Sequence, residues 1–381
     1  MNMLWMTPGP TQVRENVRLA RAMETGNSDL EADFYSLYHE TCALLSQLLH
    51  TANPSYLLSG EGILGLEAAC ASLTQPGDRV LVLDNGIFGR GFADFVRLYG
   101  GAPVLYTRDY TRPFDPDELE AFLRQDHDFT YATLVHCDTP TGLTNDIHTL
   151  CPLLARYGLL TVVDSVAGMF GERVDVDQAG IDILCGGTQK ALSAPVGMTL
   201  LTVSPRALEA MQQRTVPIAA FYANILQFKD YWENQWFPYT MPYSDILGVR
   251  QALLNVAEDP QALIRRHSAI AGATRHALTQ GGLSLYLTNG FSNNVTVFHL
   301  PDGLSDQPVL DHLARRYQVG LAGSLGPLAG SLLRIGHMGE NANPAHMTAA
   351  LDALDRTLRD LGHPPACRLG DSFLAALSNH L

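Results

Sequence analysis

Two charged residues stand where a buried sheet would hold its chemistry. The run Leu159 to Val163 is short, apolar and β-branched, and it ends in Asp164 and Ser165. A carboxylate at the C-terminal end of a buried strand lies where α/β folds place their ligands. Lys190 follows 26 residues later, between the apolar run that starts at Ile181 and another from Met198 to Val203. An ammonium among core strands is costly without a partner, so it snorkels to the surface, shifts its pKa or reacts. A salt bridge is the simple reading of such a pair. The pair also supplies the two groups that pyridoxal phosphate chemistry needs. One amine condenses with the aldehyde, and one carboxylate keeps the pyridine nitrogen protonated so that the ring accepts electrons.

The elements that must position these groups alternate. Strands are expected at Tyr56 to Leu58, Arg79 to Leu83, Pro103 to Tyr106 and Tyr131 to His136. Helical spacing covers about 33–50, 63–73, 92–98 and 116–124. Such alternation predicts an α/β fold with a mostly parallel sheet. After Asp259-Pro260 the pattern changes. A helix runs to about Gln280, short strands follow at Leu283 to Leu285, Val295 to His299 and Ser331 to Ile335, and helices cover about 308–317 and 344–361. The division expected is an N-terminal arm (1–20), a large domain (21–259) and a smaller C-terminal α/β domain (260–381).

Composition bounds the function. The chain has 381 residues, enough for two domains and a large core. Its net charge of −14, with no basic run, leaves no electrostatic footprint for nucleic acid or an anionic membrane. No apolar stretch reaches transmembrane length. The six cysteines form no CxxC pair, so a zinc site is unsupported. They read as reduced core residues of a cytoplasmic protein.

Further candidates fall at turns. Ser59-Gly60-Glu61-Gly62 joins a strand to a helix, and small residues there let backbone approach a phosphate at the helix N-terminus. Glu61 would repel that phosphate, so its side chain is expected to point away. Phe88 sits in a glycine-flanked loop after a strand. Thr139 lies in Asp138-Thr139-Pro140-Thr141-Gly142, rich in turn formers. Arg334 interrupts an apolar strand, where its planar fork needs an anion, either an internal carboxylate or a ligand. Thr7-Pro8-Gly9-Pro10 suits neither helix nor central strand, so it reads as a stiff arm.

Thr7 to Pro10, Val163 to Ala167, Gly187 to Pro195 and Arg334 to His337, in this order along the chain, resemble the class V aminotransferases of fold type I, most of all the alanine–glyoxylate and serine–glyoxylate branch. The resemblance implies a large domain with a mostly parallel sheet of seven strands, a homodimer with shared active sites, and pyridoxal 5'-phosphate as cofactor. It implies Lys190 as the attachment point and Asp164 as the ring partner. Gly60, Glu61, Gly62 and Gln189 would lie at the phosphate, Phe88 on the ring face and Thr139 near the ring. Thr240 would bind the phosphate of the partner subunit. Phe237 stands where many relatives carry a tyrosine, and Tyr239 is the candidate substitute. Arg334 would hold the substrate carboxylate, with Pro8 and Gly9 lining the pocket from an arm that crosses the dimer. The activity implied is amino transfer from alanine or serine to glyoxylate or pyruvate. The alternatives are 2-aminoethylphosphonate–pyruvate and ureidoglycine–glyoxylate transfer.

Overall fold

The computed structural model describes residues 3–378. Seven strands form its central sheet, in the order Ser55–Ser59, Met198–Val203, Ile183–Gly187, Leu160–Asp164, Tyr131–Val135, Arg79–Asp84, Ala102–Thr107. Met198–Val203 runs antiparallel to both neighbours, and every other neighbouring pair is parallel. Helices on both faces explain why the central strands are continuous apolar runs rather than alternating ones. Val80 to Leu83 and Val162 to Val163 are all buried. The parallel register brings Val135, Asp164 and Cys185 side by side, so several strands end on one edge.

Some elements escaped the periodicity. Ile147–Arg156 is a helix capped by Asp146, whose carboxylate accepts from the amides of His148 and Thr149. Pro152 lies within that helix. Glu15–Arg21 and Leu369–Ser378 are also helices, so 344–361 is not the last one. Leu283 to Leu285 forms no strand. It contributes a single bridge, Leu285 to Phe298.

The start of the arm packs on its own chain. Its first described residues belong to the C-terminal core: Met6 packs with Ile270, Phe298, Leu333 and Phe373. Leu4–Trp5 adds in parallel to Val319–Gly320, and Gly336 N donates to Met6 O at 2.7 Å. These backbone bonds hold residues 4–6 on their own chain.

The two parts of the chain meet at a buried acid. Glu172 accepts from Ser292 Oγ at 3.0 Å, Asn293 N at 2.5 Å and Asn293 Nδ2 at 2.9 Å. Burial pushes its carboxyl up to about 7 despite these donors. The unfolded chain loses this proton near the ordinary glutamate value. The stabilising difference is therefore fully present below that value and is lost as pH rises through about 7. A rise of this size corresponds to roughly 3 kcal/mol. Glu172→Gln should flatten the decline in Tm between pH 5 and 8 relative to the parent chain. Parallel declines in the two proteins would show that Glu172 is ionised throughout.

Candidate active site

Lys190 stands three residues past the end of Ile183–Gly187, on a turn fixed from several sides. Thr188 Oγ1 donates to Pro195 O at 2.7 Å, and Ala194 N donates to Thr188 O at 2.9 Å. Thr11 Oγ1 donates to Lys190 O at 3.0 Å, and Thr11 N to Gln189 O at 2.9 Å. The lysine amine donates to Pro8 O at 2.6 Å. A Cβ on Gly9 would lie 2.7 Å from Lys190 Cδ, and Gly9 has φ +92°, so only glycine lets the arm pass this close. Burial lowers the Lys190 pKa, while Glu61, Cys137 and Asp164 act to raise it.

Asp164 is the last residue of its strand. Its Oδ1 accepts from Val166 N at 2.9 Å, and Oδ2 makes no hydrogen bond among the described residues. Burial pushes its carboxyl up to about 7, with Asp138 and Glu61 adding to the rise, and Val166 N and Lys190 opposing it. A buried carboxylate with one open oxygen suits a cationic N–H donor such as a pyridinium.

The turn at Gly60 departs from expectation. Glu61 does not point away. It folds back over the start of the helix Ile63–Leu73, where its Oε2 accepts from Ile63 N at 2.9 Å. Its Oε1 accepts from Gln189 Nε2. The reason is local. A helix N-terminus attracts an anion, and the side chain two residues before Ile63 is long enough to reach that amide. Gly62 lets the turn press against the Lys190 segment: a Cβ there would lie 2.9 Å from Val166 Cγ2 and 3.4 Å from Gly187 Cα.

Arg334 lies in the middle of the strand Leu332–Gly336, between Val297 and Ala322 of the flanking strands. It is buried, its Nε donates to Gly323 O at 2.7 Å, and it forms no ion pair with a protein carboxylate among the described residues. Burial lowers its pKa, and the charge of Asp138 opposes that. Asp138 is itself fully buried. It accepts from Phe88 N at 3.1 Å, Thr141 N at 3.2 Å and Thr141 Oγ1 at 2.7 Å. It thus fixes the first turn of the helix Ile87–Leu98, which carries Phe88 half-buried at the edge of the core. Thr139 is buried in the adjoining turn. The arm passes close by: a Cβ on Gly336 would lie 2.0 Å from Thr7 O.

Lys190, Asp164, Glu61, Gln189, Pro8, Gly9 and Arg334 are therefore linked by bonds, contacts or mutual charge. Thr240 is not among them. It is exposed and donates to Asp29 Oδ2 at 2.8 Å. Phe237 is a core residue, stacked on Tyr35 at 5.1 Å between ring centroids. The Tyr239 hydroxyl is buried without a partner, close to the backbone of Ser59. Asp138 was legible as the acid of the turn Asp138-Thr139-Pro140-Thr141-Gly142, where the resembling family carries a glutamate, whereas Glu172, between Gly171 and Arg173, carries no motif for its role. A separate groove of about 670 Å³, lined by Arg14, Ser193, Val256, Arg266 and Glu340, contains none of Lys190, Asp164 or Arg334.

Comparison with known proteins agrees with this geometry. The aminotransferase class-V family pattern matches residues 13–270. A pyridoxamine–pyruvate transaminase of Mesorhizobium japonicum is 33% identical over 381 residues, spanning 98% of this chain and 95% of that protein. Two crystal structures superpose closely. Pyridoxamine–pyruvate aminotransferase from Mesorhizobium loti gives a TM-score of 0.95 at 30% identity, covering 100% of this chain and 98% of the other. Ureidoglycine–glyoxylate aminotransferase from Bacillus subtilis gives 0.94 at 28% identity, covering 100% and 99%. The family pattern over residues 13–270 and the 33% identical relative, together with a lysine and a carboxylate near the ends of adjacent strands, make this chain a transaminase that belongs to the class-V aminotransferases.

Proposed function

We propose that this chain exchanges an amino group between pyridoxamine, a vitamin B6 amine without phosphate, and a small 2-oxo acid such as pyruvate. The products are pyridoxal and alanine. Enzymes of this family depend on pyridoxal phosphate in general, and the residues around Lys190 and Asp164 fit its ring. The turn at Gly60 does not fit its phosphate. The observation that carries the proposal is the Glu61 carboxylate bonded to Ile63 N, one of the helix-start amides that a phosphate would use. A phosphate carries about −1.5 to −2 charges near neutral pH. Placed beside Glu61 it would meet a like charge and a helix end already capped. The name of the Mesorhizobium relative supports the same reading.

Bound in this site, the ring supplies the electron sink for the exchange. The chain's own groups do the rest. Asp164 holds the ring nitrogen in its protonated form through its open oxygen. The Lys190 amine, lowered by burial, moves the proton between the ring-side carbon and the carbon of the oxo acid. Arg334 grips the carboxylate of the oxo acid, and Pro8 and Gly9 crowd the far end of the pocket, which favours a small neutral side chain. A homodimer is part of this reading. Exposed Phe221 and Tyr222, with ring centroids 6.0 Å apart, offer apolar surface for a second copy, and Thr240 is the residue expected to face the partner's site.

The test compares pyridoxamine with pyridoxamine 5'-phosphate as amino donor to pyruvate, in the parent chain and in Glu61→Ser. The parent should prefer pyridoxamine by at least about tenfold in kcat/KM, and Glu61→Ser should shift the ratio toward the phosphate ester by about as much. A parent protein that purifies with tightly held pyridoxal phosphate and turns over alanine or serine with glyoxylate would establish the second reading instead. That reading is the one implied by the resemblance to the alanine–glyoxylate and serine–glyoxylate branch.

A further inference from the structure

Gln189 is the side chain whose chemistry the reaction leaves unassigned. It is 4% exposed, and its Oε1 is buried without a hydrogen-bond partner. A buried acceptor left empty costs about 1–3 kcal/mol, so such atoms are normally filled, often by ligand. The orientation of the amide follows from charge. The Glu61 carboxylate only accepts, so the amide NH₂ must face it, as it does. The carbonyl is thereby turned to the other side. A Cβ on Gly187 would lie 3.0 Å from Gln189 Oε1 and 3.1 Å from Val166 Cγ1, which places the orphan oxygen over the Gly187 backbone beside Val166 and Gly62.

Glu61 therefore changes more than the local charge. In a turn without this carboxylate, the glutamine amide would be free to donate to an anion. Here the side chains presented are a carboxylate and a carbonyl, both acceptors. A phosphate ester at neutral pH has little proton to offer either of them. A hydroxyl has one. With Asp164 at the ring nitrogen and Lys190 at the opposite carbon, the bonded pair Glu61 and Gln189 would lie beside the 5-substituent of the ring.

Building on the phosphate-free reading above, we propose that Gln189 Oε1 accepts a hydrogen bond from the 5-hydroxymethyl group of the vitamer. Gln189 is then the residue that reads a hydroxyl at this position, as distinct from Glu61, which rejects the phosphate. A site built to bond a hydroxyl discriminates strongly against the analogue lacking it, because its buried acceptor is then left unpaired.

The experiment measures equilibrium binding by calorimetry, with no oxo acid present so that nothing turns over. The ligands are pyridoxamine, 5-deoxypyridoxamine (a methyl in place of the hydroxymethyl) and pyridoxamine 5'-phosphate. The parent chain should bind pyridoxamine about 10–100-fold more tightly than the deoxy analogue. Gln189→Met, of similar length and without the acceptor, should reduce that ratio to about twofold or less. Equal binding of the first two ligands by the parent, with the phosphate ester still rejected, overturns the role of Gln189 alone. A ratio unchanged in Gln189→Met does the same. Tightest binding of the phosphate ester overturns the phosphate-free reading and this inference with it. Should Gln189→Met fail to fold, the parent's own ratio still decides whether the hydroxyl is read.

Discussion

Lys190→Ala is expected to abolish turnover, by about 10³-fold or more, while the ring still binds. The amine has two tasks, covalent capture and proton movement, and no neighbour is placed to take over either. Removing a group that forms and breaks bonds in the transition state costs far more than removing a contact. The chain makes this a clean test, because it has two lysines, Lys190 and Lys229. Lys229 lies away from the cluster, paired with Asp230 at 3.0 Å. Borohydride reduction in the presence of pyridoxal should therefore label the parent chain once, at Lys190, and leave Lys190→Ala unlabelled. Covalent label on Lys229, or turnover surviving in Lys190→Ala, would remove Lys190 from its role. The alanine variant also frees Pro8 O, which now accepts from the lysine amine. Its Tm should be compared with that of the parent, so that a loosened arm is not mistaken for lost chemistry.

The residues that were legible in the sequence are those whose side chains conflict with their surroundings. Asp164, Lys190 and Arg334 interrupt apolar runs, and a charge in a buried strand or at its end needs a reason. The central strands were legible because continuous β-branched runs admit few other structures. The helix Ile147–Arg156 was hidden by Pro152, which reads as a breaker although its neighbours complete two turns. Leu283 to Leu285 has strand composition, yet forms one bridge only. Composition says what an edge can do, and pairing partners decide whether it does.

Side-chain direction was the harder part. Glu61 was legible as a misfit at a phosphate turn, but whether its carboxylate swings out or folds back depends on a rotamer and on which amide lies within reach. The structure shows it folded back onto Ile63 N. The polarity of Gln189 follows from that choice and could not be read before it. Glu172 is a similar case. Nothing in Gly171-Glu172-Arg173 distinguishes it from a surface acid, and its donors, Ser292 and Asn293, are more than a hundred residues away in the chain.

Arg334→Ala should lower kcat/KM for pyruvate by about 2–5 kcal/mol, a loss of roughly 30- to several thousand-fold. The expectation rests on an imbalance in the structure. Arg334 is a buried cation whose one protein hydrogen bond among the described residues, from Nε to Gly323 O, leaves the two terminal nitrogens of the fork unused. Asp138 lowers the cost of the charge from a distance but forms no ion pair with it. A guanidinium held by its inner nitrogen, with its outer edge open, is preorganised for a bidentate carboxylate. Pyridoxamine carries no carboxylate, so its binding should change little, and this separates Arg334 from the ring site. Arg334→Lys restores the charge without the fork and should recover only part of the loss. The two halves of the reaction can be followed separately through the ring's absorbance. Release of pyridoxal with pyruvate should fail in Arg334→Ala, and so should formation of pyridoxamine from pyridoxal and alanine, because both oxo acid and amino acid present the same carboxylate. If pyruvate and an aldehyde without a carboxylate served the parent chain equally well, Arg334 would be a structural cation and the oxo-acid site would lie elsewhere.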